Sequence, residues 1–217
     1  MPEMRGSPET PLVCVVDDDA AIRDALDSLL RSVGYRVRLF GSPEDFIACD
    51  NVDKAACLIL DVQLGHVNGL DFQQELASGD ARIPVVLISG HGDIPMTVRG
   101  MRAGAVTWLP KPFSDTEILA AVDEAVQRHL VQREQQEAST GLRSLYQSLT
   151  ARERDVMGLV TAGLMNKQIA GRLQLSEITV KIHRGNLMRK MQAQSLADLV
   201  RMAESLGVRA MTSRYGK

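Results

Sequence analysis

The sequence predicts an α/β chain, a doubly wound five-stranded parallel sheet followed by a small all-α module, and three observations predict it. Up to about residue 130, short apolar runs alternate with stretches of helical period, the pattern of strands joined by crossover helices. Three of these runs end on charge: Asp17 and Asp18 follow LVCVV, Asp61 ends CLILD, and Lys111 follows Trp108 and Leu109. Beyond them the strand-like runs cease and the charge changes sign. Residues 1–130 carry 11 Lys and Arg against 20 Asp and Glu, a net of −9, whereas residues 131–217 carry 14 against 7, a net of +7. A chain of 217 residues has room for both modules.

The elements follow in order. LVCVV is the first strand, and Asp18 or Asp19 caps the helix AAIRDALDSLLRSV, which Gly34 ends. YRVRLF, PEDFIAC, CLILD, GLDFQQELA, PVVLIS, MTVRGMRAG and VTWL continue the alternation, with Gly104 at a second helix end. In DTEILAAVDEAVQRHL, Ile118, Val122, Ala125 and His129 recur at three- and four-residue spacing, a core-facing stripe that makes His129 structural. VQREQQEASTG then lacks an apolar stripe. It is expected to extend the helix as a linker and to break it at Ser139, Thr140 and Gly141. Thr150 and Glu153 have capping-box spacing at the head of a helix through Leu159, which Gly163 ends. Asn166 is expected to cap KQIAGRL, and Ser176 to cap EITVKIHRGNLMRKM beyond the short turn LQLS, a helix-turn-helix with the last helix as reader. On that helix Ile178, Ile182, Leu187 and Met191 are expected in the core, and Lys181, Arg184 and Gly185 outside. SLADLVRMAESL closes the module with Leu196, Leu199, Val200 and Ala203 along one face. The resulting division is a flexible N-terminus at 1–10, the α/β domain at 11–130, a helical linker at 131–148, the helical domain at 149–208 and a tail at 209–217.

Composition excludes several classes. Cys14, Cys49 and Cys57 are odd in number and two lie in or beside strands, so they read as reduced thiols and not as a disulfide framework. The N-terminus has no apolar signal segment, and no run approaches the roughly 20 apolar residues of a bilayer span. A cytoplasmic protein without membrane contact is expected.

In a parallel sheet the carboxyl ends of the strands share one rim, so Asp17, Asp18, Asp61 and Lys111 are expected to meet. Three crowded carboxylates repel unless a hard dication sits among them, which points to Mg²⁺, with Mn²⁺ as the alternative. A lysine opposite holds an anion. Together they suit a phosphoryl group carried on Asp61, a phosphoacceptor site. Singly, each residue has an ordinary reading as helix cap or turn residue. The spacing of Asp17 and Asp19 also fits the D-x-D of haloacid-dehalogenase-type phosphatases, a weak motif with Asp17 as nucleophile.

VVDDDA, LILD, VVLISGHGD and TWLPKPF, in this order, resemble the receiver domain of two-component response regulators over about residues 12–128. The resemblance implies Asp61 as the phosphorylated residue, Asp17, Asp18, Asp61 and the carbonyl of Gln63 as metal ligands, Ser89 and Trp108 as switch residues, and Lys111 as phosphate contact. The chain departs from the family at Gly65, where proline is usual, and a looser loop is expected there. LTARERDVMGLV, GLMNKQIAGRL and TVKIHRGNLMRKM resemble the LuxR-type DNA-binding domain, so the whole chain is similar to the FixJ-like regulators. That resemblance implies Lys181 and Arg184 at bases or backbone in the major groove, with Lys167, Thr179 and His183 at or near phosphates. It further implies a sensor histidine kinase as phosphodonor, and a homodimer formed on phosphorylation through about residues 94–109 and the helix 195–206. Double-stranded DNA would be the target and transcription control the outcome. The chain would be no enzyme beyond catalysing its own phosphorylation and slow dephosphorylation. A constitutive DNA-binding regulator with a degenerate receiver is the alternative.

Overall fold

The computed structural model describes residues 10–50, 52–79, 83–90 and 92–208; the expected flexible N-terminus, apart from Thr10, and the tail at 209–217 lie outside them. Two compact units divide the chain, one through Arg133 and one from Glu134. In the first, strands β1 (Leu12–Val16), β2 (Arg36–Phe40), β3 (Cys57–Asp61), β6 (Val85–Ser89) and β7 (Thr107–Pro110) form a parallel sheet in the order β2-β1-β3-β6-β7. The three central strands are buried at every position, because helices cover both faces of such a sheet and leave no polar side. Alternation along each strand divides the core in two. Val13, Val15, Ile59 and Ile88 pack with Leu26 and Leu30 of α1 (Ala20–Ser32) and with Ile118, Val122 and Ala125 of α5 (Asp115–Gln147). Cys14, Val16, Leu58, Leu60 and Leu87 pack on the opposite face with Phe46 of α2 (Pro43–Ala48) and with Leu70 and Phe72 of α3 (Gly69–Ser78). Phe46 stands edge-on to both Phe40 and Phe72, with centroids 5.3 and 5.9 Å away, a favoured ring geometry. Between β6 and β7 runs α4 (Ile94–Arg102), capped by the Asp93 carboxylate, which accepts from the Met96 amide at 2.8 Å.

Two local expectations are corrected. Residues 63–68, expected as a loop, form a short hairpin: β4 (Gln63–Leu64) and β5 (Val67–Asn68) pair antiparallel around Gly65 and His66. Gly65 has φ +55°, a value glycine adopts without strain, so it fits the first turn position of a two-residue hairpin where proline would not. The expected break at Ser139, Thr140 and Gly141 is also absent. Helix α5 runs unbroken to Gln147, and its last turns place Leu142, Leu145 and Tyr146 against the second core. A propensity cost of about 1 kcal/mol for one glycine is outweighed when tertiary packing anchors the turn that follows it. His129 is half-buried, and burial lowers its pKa, with Arg133 adding to the effect. Cys14 and Cys57 are buried free thiols and Cys49 is half-buried; burial pushes Cys14 up to about 12.

The second unit comprises α6 (Ala151–Thr161), α7 (Asn166–Leu173), α8 (Glu177–Lys190) and α9 (Leu196–Ser205). The capping box forms as expected: the Glu153 amide donates to the Thr150 hydroxyl at 3.3 Å and the Thr150 amide to the Glu153 carboxylate at 2.8 Å. Gly163, at φ +85°, ends α6, and Ser176 caps α8 through the Thr179 amide at 3.0 Å. Asn166 does not cap α7; Met165 occupies that position, and its amide donates to Gln168 at 2.8 Å while Asn166 is the first helical residue. In α8 the core takes Val180, Leu187 and Met191, whereas Ile178 and Ile182, expected inside, are 74% and 58% exposed. Residues 180 and 187 share one side of the helix at a seven-residue spacing, which leaves 178 and 182 on the other. In α9, Leu199 and Ala203 are buried and Leu196 is exposed. Among the described residues no helix is long and apolar enough to cross a membrane.

Candidate functional site

The strand order reverses between β1 and β3, and the carboxyl ends of these two strands deliver Asp17 and Asp61 to the same crevice. Asp17 is held by its backbone: its amide donates to the Phe40 carbonyl at 3.2 Å, and its own carbonyl accepts from Arg23 Nη1 at 2.6 Å. Asp61 is followed by a tight turn whose geometry depends on Gly69. The Gly69 amide donates to the Val62 carbonyl at 2.9 Å, and a Cβ there would stand 2.1 Å from the Asp61 carbonyl oxygen. Lys111 arrives from the end of β7, its amide donating to the Ser89 carbonyl at 2.7 Å.

These three positions close on one another. Lys111 Nζ donates to Asp17 Oδ2 at 2.7 Å and to Asp61 Oδ2 at 2.6 Å. The other carboxylate oxygens are engaged by neighbouring amides, Asp19 N on Asp17 Oδ1 at 2.9 Å and Gln63 N on Asp61 Oδ1 at 3.0 Å. Asp17 and Asp61 are buried and Asp18 is exposed, and oxygens of the three acids lie within 4.8 Å of one another. Burial pushes the Asp17 carboxyl above its usual range, against the pull of Lys111 and the Asp19 amide. Burial also works to lower Lys111, but its hydrogen bonds to Asp17 and Asp61 outweigh it and hold the ammonium above the ordinary lysine value. Three carboxylate oxygens facing one point form a donor set suited to a hard dication, so the residues fit Mg²⁺ or Mn²⁺. A cavity of about 750 Å³ opens over them, lined also by His66 and Met96.

Ser89 is buried at the end of β6, in register with Pro110, and Trp108 is half-buried on the neighbouring strand. The Trp108 indole fills space that two glycines leave open. A Cβ on Gly92 would lie 2.8 Å from Trp108 Cζ2, and one on Gly100 would lie 3.4 Å from Cε3 and 2.5 Å from a Leu87 methyl. Arg23, His66, Gly69, Gly92 and Gly100 were not singled out by sequence pattern. The glycines carry no side chain to show periodicity, and Arg23 reads as one more polar residue of an amphipathic helix.

The five residues expected at DNA differ in exposure. Lys167 and Lys181 are exposed, whereas Thr179, His183 and Arg184 are half-buried. Arg184 is turned toward α7, donating to Asn166 Oδ1 at 3.1 Å, and the Thr179 hydroxyl pairs with that of Ser176 at 2.8 Å.

Residues 13–123 match the response regulator receiver domain and residues 147–203 match the bacterial regulatory proteins of the luxR family. The chain is 52% identical over 199 residues to nodulation protein W of Bradyrhizobium diazoefficiens, an alignment covering 92% of this chain and 88% of that protein. It is 40% identical over 192 residues to the transcriptional regulatory protein FixJ of Rhizobium meliloti, covering 88% and 94%. The solved structure of the response regulator StyR superposes with a TM-score of 0.82 at 43% identity, covering 90% of this chain and 98% of that one.

Proposed function

Because this chain belongs to the two-component response regulators, in which a receiver precedes a LuxR-type DNA-binding domain that regulates transcription, we propose that Asp61 takes a phosphoryl group from a sensor histidine kinase and that this governs pairing of the chain on DNA. The observation that carries the reading is the single ammonium of Lys111 shared between buried Asp17 and Asp61, with Asp18 alongside. In the transfer, the nitrogen–phosphorus bond of the kinase phosphohistidine breaks as a bond forms between phosphorus and an Asp61 carboxylate oxygen. Lys111 is positioned to follow the phosphoryl oxygens as charge moves onto Asp61. Asp17, Asp18, Asp61 and the carbonyl of Gln63 would hold Mg²⁺ or Mn²⁺, which supplies positive charge to those oxygens. Attack of water on phosphorus later returns Asp61 and inorganic phosphate.

The phosphoryl group draws the Ser89 hydroxyl toward it, and Trp108 moves on its glycine bed, reshaping residues 94–109. Ile94, Val98 and Met101 are exposed apolar side chains on that surface, which supports it as a pairing face. The helix at 195–206 would serve the second unit in the same way. Two copies then place two reader helices on adjacent half-sites, with Lys181, Lys167, Arg184, Thr179 and His183 supplying base and phosphate contacts. A coupling of about 1–3 kcal/mol suffices for such a shift. Exposure of the full-length protein to acetyl phosphate and Mg²⁺ tests the reading. Wild type is expected to gain an acid-labile phosphate and to bind promoter DNA more tightly, while Asp61→Asn gains neither; an Asp61→Asn protein that is phosphorylated and activates as wild type does would overturn the acceptor assignment.

A further inference from the structure

The exposed face of α8 has an apolar centre that no packing among the described residues explains. Ile178 and Ile182 are one turn apart and Gly185 follows three residues on, so the three lie one above another. Both isoleucines point away from the core that Val180, Leu187 and Met191 enter. A Cβ on Gly185 would meet nothing within 4 Å, so no packing among the described residues requires a glycine there. Isoleucine and glycine are also poorer helix formers than alanine, so propensity does not account for them either. Exposed Lys181 and Arg189 border the strip and exposed Lys167 stands on the neighbouring helix, which fits the strip to a polyanion.

In the major groove one apolar group projects from the base edges, the 5-methyl of thymine. We infer that Ile178 and Ile182 read thymine through its 5-methyl group, and that the bare Gly185 lets the helix backbone come close to the groove floor beside them. The inference rests on the proposed entry of α8 into the major groove and adds the chemistry that α8 recognises there. The cations at the border supply affinity without sequence information, while the isoleucines discriminate. Burying one methyl group is worth about fourfold in affinity.

The test begins with a duplex that the full-length protein, treated with acetyl phosphate and Mg²⁺, selects from a random-sequence pool. Each thymine is then replaced singly by uracil, which removes the methyl group and leaves the pairing intact. For wild type, uracil at one or two positions per half-site is expected to weaken binding about fourfold. Ile178→Ala or Ile182→Ala is expected to abolish the difference between thymine and uracil at its own position. The slope of affinity against salt should stay as in wild type, because no phosphate contact is lost. Uracil and thymine bound equally at every position, or an uracil penalty that survives both alanine variants, would overturn the inference alone. A pool from which no sequence emerges, together with a salt slope unmoved by Lys181→Ala, would overturn the groove entry beneath it. Both isoleucines are exposed, so neither variant threatens the fold.

Discussion

The rim of the sheet and the outer face of α8, the two surfaces proposed to take a phosphoryl group and DNA, are set up by different means. At the rim, topology does the positioning. Strands β1 and β3 are hydrogen-bonded neighbours with Val16 beside Leu60, so the residues that follow arrive together regardless of their side chains. Chemistry then needs only the right residue type, and Asp17, Asp18, Asp61 and Lys111 stand out as charge directly after apolar runs. On α8 nothing comparable sets the phase. Apolar residues fall on both sides of the helix, Ile178 and Ile182 on one and Val180 and Leu187 on the other, so periodicity does not identify the core side. The lesson is that a buried charge announces a site, whereas an exposed isoleucine is misread as core.

Replacing the charge at the rim should break the comparison most severely. Lys111→Met keeps the length of the side chain but leaves Asp17 and Asp61 buried without their ammonium. Uptake of phosphate from acetyl phosphate should fall about 100-fold or more, and stability in urea by about 3 kcal/mol. Two glycine substitutions sharpen the contrast because they should have opposite signs. Gly69→Ala drives a methyl into the Asp61 carbonyl, so denaturant unfolding should show a loss of about 3 kcal/mol, with slower phosphorylation. Glu153→Gln probes the second unit's own buried charge, which Lys190 meets at 2.7 Å, and should cost about 2 kcal/mol as read by amide exchange in α6 and α8. Burial works to raise the Glu153 carboxyl, but Lys190 and Thr150 hold it below its ordinary value of 4.5. A depressed pKa gives stability that is present above 4.5 and lost as pH falls through the folded value, so wild type and Glu153→Gln should converge on acidification below 4.5. The smallest effect is a gain. Gly185→Ala meets nothing and removes a helix-weakening residue, so it should stabilise the second unit by up to about 1 kcal/mol while weakening binding to DNA.

Most of the fold could be read from residues because its signals were long or repeated. LVCVV, CLILD and PVVLIS are fully buried runs, and Thr150 with Glu153 makes a cap whose two halves confirm each other. What was missed depends on few residues. The hairpin at 63–68 has two residues per strand, too short for alternation, and only the Gly-His pair at its tip signalled a turn. At Ser139, Thr140 and Gly141 a local preference against helix lost to distant packing, because Leu142, Leu145 and Tyr146 have a core to enter. Asn166 is an excellent cap by type, yet it is drawn to Arg184, eighteen positions along, a bond no local rule contains. Of the candidate site, the charged residues were visible and their supports were not. Gly69, Gly92 and Gly100 act through the space they leave empty, and an empty space has no letter of its own.

The seating of Trp108 on Gly92 and Gly100 has an optical consequence. The chain contains one tryptophan, so all of its indole emission originates from that seat beside the sheet rim. Native, unlabelled protein thus carries its own fluorophore at the place where the receiver is proposed to change, and a stopped-flow trace excited at the tryptophan band follows that change without any dye or tag.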